Sequence, residues 1–324
     1  GAYGAVKFWN QWLSFGQVPQ WWGPGYEGSL IRGDAARPMT GFLMQRAEQA
    51  APETWWLRWI GPWQYQISAS QMNQYTAVPH TKIIGGRLTF SPFQSLELGA
   101  SRIMQWGGEG RPQSFSSFWD GFTGQDNTGT DNEPGNQLAG FDFKFKLEPT
   151  LGWPISVYGQ MVGEDEAGYL PSANMYLAGV EGHHAWGKNA VNWYVETHDT
   201  RDDRSRTDYI YTHHIYKDGY YQQGYPLGDA MGGDGQLVAG KVELVTEDNQ
   251  RWSTRLVYAK VNPENQLINK AFPHSDTLKG VQLGWSGDVY KSVRLNTNLW
   301  YTNADNSDSD DIGASAGIEI PFSL

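Results

Sequence analysis

Several short stretches hold side chains that could do chemistry. EGHHAW sets Glu181 near His183 and His184, and THHIY holds His213 and His214. Imidazoles beside a carboxylate are the donors of a zinc centre or the base of a hydrolase. Adjacent residues of a strand point to opposite faces, however, so neither His-His pair is set to chelate one ion. The acidic runs DNTGTDNE (126–133) and DNSDSDD (305–311) offer oxygen ligands for calcium, but neither has EF-hand spacing, and both read as solvated turns. GGDGQ at 232–236 lacks the GK[ST] ending of a phosphate loop, and no G-x-S-x-G elbow occurs. No catalytic residue, metal site or cofactor is expected, so the chain reads as a non-enzyme.

A second set suits binding. The segment 106–136 carries Trp106, Arg111, Trp119 and Asp120, and 200–235 carries Tyr220, Tyr221 and Tyr225 within TDYIYTHHIYKDGYYQQGYPLGD. Sugar rings present a C–H face that stacks on an aromatic, and hydroxyls that pair with planar polar groups. These seven residues are the candidate carbohydrate contacts. The competing reading is that the aromatics pack the loops into a plug. Loops this long are functional or disordered, and their aromatic content argues against disorder.

The elements that must carry these loops follow a period of two. In FDFKFKL, Phe141, Phe143, Phe145 and Leu147 alternate with Asp142, Lys144 and Lys146. PWQYQISAS, VRLNTNLWY and ASAGIEIPFSL repeat the pattern, the signature of half-buried strands. Strands are expected near 41–48, 54–60, 63–71, 81–90, 96–105, 137–147, 155–163, 174–184, 191–199, 236–246, 251–261, 277–285, 292–302 and 311–322. One or two more are expected within 2–18, giving about 14–16 in all. Beyond residue 71 the connections alternate long (72–80, 106–136, 164–173, 200–235, 262–276, 303–310) with short (91–95, 148–154, 185–190, 247–250, 286–291). Aromatics mark the short turns: Trp59, Trp63, Phe90, Phe93, Trp153, Trp186, Trp252 and Trp285.

Loops sorted by length and a belt of aromatics at one end predict an all-β, antiparallel transmembrane barrel of the outer membrane. Its phenylalanines would face lipid and its charges the interior, with loop 200–235 folded over the mouth. The segment 18–38, VPQWWGPGYEGSLIRGDAARP, fits neither strand nor loop and is expected to occlude the lumen. Trp21, Trp22, Arg32, Arg37, Asp142, Lys144 and Arg294 are the lumen candidates, with Arg32 and Arg37 paired to Asp142 or Glu97, because arginine in lipid is costly.

Composition agrees. The 324 residues include 39 Gly, 16 Trp, 17 Tyr and no Cys, at a net charge of −11. Mean hydropathy is −0.56. The absence of cysteine excludes disulfides and thiolate metal sites, and the acidic balance argues against nucleic acid. No apolar run reaches the 18 or so residues of a membrane helix. The opening GAYGAVKFWN has no basic start or apolar h-region, so no signal peptide is expected within these residues.

QWWGPGYEGSLIRGDAARPMTGFLMQR, GASRIMQWGGEGRP, GYYQQGYPLGDAMGGDGQLVAGK and the ending GASAGIEIPFSL resemble the capsule assembly (Wzi) family of Gram-negative bacteria, along essentially the whole chain. The resemblance implies an 18-stranded outer-membrane barrel with an occluded lumen. It also implies a lectin that attaches group 1 capsular polysaccharide to the cell surface. The family carries an N-terminal region with a signal peptide and a periplasmic helical bundle, to which nothing here corresponds. No family sugar-contact motif maps onto particular positions.

The expectation is therefore one barrel domain over 1–324, monomeric, in contact with outer-membrane lipid and lipopolysaccharide. Its loops would be extracellular and its C-terminus periplasmic. Stacking aromatics would engage capsular polysaccharide, while Arg111, Arg201, Arg204 and Arg206, or bridging cations, offset the negative charge. The alternative is a porin whose inward Lys144, Lys146 and Arg294 line a channel.

Overall fold

The computed structural model describes residues 1–123, 133–167, 170–204, 209–265, 269–290, 293–306 and 310–321, with backbone alone at 165–167 and 170–171. The acidic run 126–133 therefore lies outside the described residues except at Glu133, as do Arg206 and residues 307–309 of the second run.

The strands are β1 (Tyr3–Phe8), β2 (Gln11–Gln17), β3 (Thr40–Arg46), β4 (Trp63–Gln71), β5 (Lys82–Phe93), β6 (Leu96–Trp106) and β7 (Gly135–Lys146). They continue with β8 (Ile155–Ala167), β9 (Leu170–Trp186), β10 (Asn189–Asp199), β11 (Tyr221–Gln222) and β12 (Tyr225–Pro226). The last five are β13 (Gln236–Val245), β14 (Arg251–Val261), β15 (Asp276–Tyr290), β16 (Val293–Ala304) and β17 (Asp311–Glu319). All but β11 and β12 form one 15-stranded antiparallel sheet in sequence order, and that pair makes a small hairpin of its own. Among the described residues no pairing joins β1 to β17.

Each wall strand separates two solvents. Phe141 and Phe143 are exposed on the outer face, while Asp142 between them is buried. The same outer face exposes Ile67, Leu88, Val195, Val242, Leu256, Leu283 and Leu299. The inner face closes on segment 18–39, which is bound by side chains from β4, β8, β9, β10 and β14. Only a sheet curled around that segment lets five strands reach it. No helix among the described residues is long and apolar enough to cross a membrane, so any crossing is by strands.

The connections sort by end. One end holds residues 9–10, 47–62, 94–95, 147–154, 187–188 and 246–250; the other holds the described residues of 18–39, 72–81, 107–134, 200–235, 262–275 and 305–310. At the first end Trp9, Trp55, Trp56, Trp59, Phe93, Trp153, Trp186, Trp252 and Tyr290 are all exposed, which is the arrangement of an interfacial aromatic belt.

Two expectations fail. Residues 54–60 are not a strand but a turn leading into the 3-10 helix Arg58–Ile60, closed by Gly61 at φ 68°. TWWLRWI stacks bulk at consecutive positions and offers no polar face for a pleat. Residues 164–173 are not a long loop: β8 and β9 remain paired out to Ala167 and Leu170. Ladder hydrogen bonds extend a hairpin without apolar alternation, so the pattern leaves it unmarked. The loop 107–134 contains a short helix, α1 (Phe115–Phe122), whose N-terminus is capped by Ser114 Oγ accepting from Ser117 N at 3.1 Å.

The main apolar core lies inside the sheet. Trp22, Leu30 and Ile31 of the plug meet Ile83, Ile103, Leu138, Val162 and Leu177 of the wall and Tyr211, Tyr216, Tyr220 and Leu227 of loop 200–235. All are buried, a packed interior rather than a channel.

Candidate functional site

The plug is held by polar groups the wall turns inward. Trp22 is fully buried, and its indole N–H donates to Gln66 Oε1 at 2.8 Å. Gln160 donates to the Trp22 carbonyl at 2.7 Å and accepts from Leu30 N at 2.8 Å. Trp21 is half-buried. Glu27 reaches across to Arg255, whose Nε donates to both carboxylate oxygens at 2.8 and 3.0 Å, and also accepts from the Tyr194 hydroxyl at 2.6 Å.

The predicted plug pairings are not the ones found. Asp142 is gripped by Arg87 of β5, at 2.5 and 2.8 Å, and Glu97 is exposed. Gly99 sits between the two strands, where a Cβ would come 2.4 Å from the Asp142 carboxylate. Asp142 thus spends its charge on a wall arginine across a neighbouring strand, not on Arg32 or Arg37 of the plug. Lys144 likewise pairs with Glu181 at 2.6 Å. Arg294 is bound to Ser286, the Asn249 carbonyl and Asp288 and touches no plug residue in these bonds. Arg37 is exposed. Arg32 is buried, but against the Tyr220 hydroxyl; burial lowers its pKa, and Tyr220 opposes the shift.

One anchor has no sequence signal. His198 of β10 holds Asp229 through Nδ1 at 2.5 Å and Glu196 through Nε2 at 2.6 Å, all three buried. A ring with a carboxylate at each nitrogen is an imidazolium pinning loop 200–235 to the wall. Glu196 also accepts from Tyr26 N, Glu27 N and the Tyr158 hydroxyl at 2.7, 2.9 and 2.7 Å.

Loop 200–235 folds inward as a lid. The Tyr211 hydroxyl donates to the Leu30 carbonyl at 2.5 Å and accepts from Asp229 N at 3.0 Å. Tyr220 donates to the Ile31 carbonyl at 2.9 Å, and Tyr75 to the Tyr216 carbonyl at 2.9 Å. Two expected sugar contacts, Tyr220 and Tyr221, are thereby buried as packing and show no ring face to solvent. Trp106 is also buried, edge-on to Phe118 of α1, and Arg111 donates to the Glu133 carbonyl. Trp119, Asp120 and Tyr225 remain exposed.

The His213–His214 pair lies in this loop and not in a strand, so the opposite-face argument fails there. The rings stack at 4.6 Å, and both Nε2 atoms approach Glu133 Oε2, at 3.3 and 3.7 Å. His213 Nδ1, however, faces the amides of Ile215 and Tyr216 at 3.1 and 3.3 Å. That nitrogen accepts, which leaves the proton on Nε2, the atom a metal would need. Burial, with His214 and Arg111 adding to it, pushes the His213 pKa down to about 3, so the ring is neutral, with Nε2 3.3 Å from Glu133.

Tyr225 borders a groove of about 480 Å³ between the β11–β12 turn and residues 270–272. The turn has φ 54° at Gln223 and 85° at Gly224, a left-handed pair that throws the tip outward. Asn269 fixes the opposite wall. It donates to the Met231 and Gly233 carbonyls at 2.9 and 2.8 Å and accepts from Ala271 N and Phe272 N at 3.1 and 3.0 Å. Lys270 Nζ bonds Asp218 at 2.5 Å, and Asp218 also takes Thr76 N and Ala77 N, both at 2.7 Å. Burial would raise the Asp218 pKa, but Lys270, Ala77 and Thr76 outweigh it and hold it at about 2.

The sequence profile of the capsule assembly protein Wzi family matches residues 1–315. The chain belongs to this Wzi family. A 90% identical relative, an "uncharacterized 55.8 kDa protein in cps region" of Klebsiella pneumoniae, matches the whole chain, which spans 64% of that protein's length. The solved structure of Wzi from Escherichia coli is 85% identical and superposes with a TM-score of 0.92, over 100% of this chain and 70% of its own. That Wzi is an outer-membrane protein involved in group 1 capsule assembly, and a carbohydrate-binding β-barrel. The fold is accordingly an outer-membrane β-barrel of the Wzi family.

Proposed function

We propose that this chain is the barrel of an outer-membrane lectin, a single domain over 1–324 that anchors group 1 capsular polysaccharide at the cell surface and performs no chemistry. Loop 200–235, residues 262–275 and α1 face the outside, the C-terminus lies on the periplasmic side, and the outer face meets lipid and lipopolysaccharide around a monomer. The observation that carries this reading is the buried core inside the sheet, where loop 200–235 and segment 18–39 fill the space a conducting channel would need. Exposed rings and polar groups remain at the loop end, as a surface for a polymer does. The carbohydrate-binding character of the Escherichia coli relative supports it. Weak sites suffice, because a repeating polymer engages many copies at once.

The test is a cell assay. A strain lacking the full-length protein should release capsular polysaccharide into the medium. Wild type restores the cell-bound fraction, and a full-length variant with residues 223–225 replaced by a Gly-Ser turn restores less. Equal cell-bound polysaccharide with and without the protein would contradict the anchoring role.

A further inference from the structure

The groove beside Tyr225 has features that loop packing alone does not require. Both walls are fixed in advance. Asn269 uses its carbonyl and amide on four backbone partners, and Asp218 collects Lys270 together with the Thr76 and Ala77 amides. Gln223, a non-glycine residue, is held at positive φ at the tip, a conformation that persists only when the surroundings impose it. Tyr225 leaves 59% of its surface in solvent, although the tyrosines at 211, 220 and 221 in the same loop are buried. In a chain of net charge −11 the one charged side chain lining the groove among the described residues is a cation, Lys270. It spends one of its three protons on Asp218 and keeps two to donate.

We infer that this groove is a subsite for one acidic pyranose unit of the polymer, a uronate. Its C–H face lies on Tyr225, its carboxylate on Lys270, and its hydroxyls meet the Gln223 amide, with Phe272 closing the far wall. A volume of about 480 Å³ is at the small end of ligand sites and suits one sugar ring with neighbours leaving at the surface. The inference rests on the lectin reading and assigns it a place and a sugar class. It would also let an acidic chain hold an acidic sugar: Lys270 supplies a local cation, and its partner Asp218 takes the Thr76 and Ala77 amides as well.

The test is calorimetric titration of the detergent-purified full-length protein. The probes are capsular oligosaccharide from a strain bearing this chain and the same fragment after reduction of its carboxyl groups. Tyr225→Ala should weaken binding of the native fragment roughly tenfold, and Tyr225→Phe should restore it. Lys270→Gln should weaken the native fragment and leave the reduced one unchanged, with Lys270→Arg retaining native binding. Melting temperatures of all four variants check that the walls stand. Equal wild-type affinity for native and reduced fragments would overturn the acidic-sugar assignment. Full binding by folded Tyr225→Ala, with loss in Trp119→Ala, would move the subsite to α1 and leave the lectin reading intact. No binding of either fragment by wild type would remove the lectin reading and the subsite together.

Discussion

Two sets of tyrosines within one loop serve opposite purposes. Tyr211, Tyr220 and Tyr221 are sealed into the barrel, with hydroxyls committed to backbone at Leu30, Ile31 and Gly233. Tyr225, four residues beyond Tyr221, stands in solvent at the tip of the β11–β12 hairpin. The inward rings make the loop a stopper, and the outward ring lies on a surface that only a stopper can hold still. Residue type does not separate these roles; what each hydroxyl and ring face meets does.

The contrast can be broken from either side. The largest effect belongs to the inward set. Tyr211→Ala removes a fully buried ring and its bonds to Leu30 and Asp229, and should cost about 3–5 kcal/mol. Chemical denaturation of the detergent-solubilised full-length protein measures it. Tyr225→Ala should stay within about 0.5 kcal/mol of wild type in the same experiment. A comparable loss in both would erase the distinction.

Next comes the plug's tie to the wall. Glu27→Gln leaves Arg255 without its carboxylate and should cost about 1–3 kcal/mol, reduced because Arg255 keeps 34% of its side chain in solvent. Glu27→Gln together with Arg255→Met should recover part of that loss, and a double-mutant cycle reads the coupling.

The last test is a pH slope. His213 faces Glu133, His214 and Arg111, and its pKa is about 3 in the fold against about 6.5 in the unfolded chain. The unfolded state therefore binds the extra proton between those values, so this residue's contribution is fully present above pH 6.5 and declines as pH falls towards 3. His213→Gln should flatten that slope. Asp218 acts in a lower window: held at about 2, it loses its contribution only as pH falls from about 4 to 2. A wild-type unfolding midpoint constant from pH 7 to 4 would contradict the His213 assignment.

The wall was legible in the sequence, because each strand must show an apolar outer face and a polar inner one. Strands β4 and β14 fall on the expected residues 63–71 and 251–261, and loop 200–235 folds inward as expected, carrying the β11–β12 hairpin. Where that two-sided constraint lapses, legibility lapses too. TWWLRWI serves the aromatic belt and has no inner face, and the ends of β8 and β9 continue as a backbone ladder that no apolar alternation announces. The plug could be recognised as a plug from its rigid WWGPGY turn and its arginines, but its partners could not. Tyr211 meets a carbonyl 181 residues away, and Glu27 meets an arginine 228 away. Lys270 and Asn269, which build the groove opposite Tyr225, carry no local pattern at all.

The central claim is that the loop core seals the lumen so that the loop end can bind. Planar-bilayer conductance of the purified full-length protein tests it most directly. The account predicts silence for wild type and for Tyr225→Ala, and current once Tyr211→Ala loosens the stopper. Steady conductance from wild type would make the chain a porin and contradict the account.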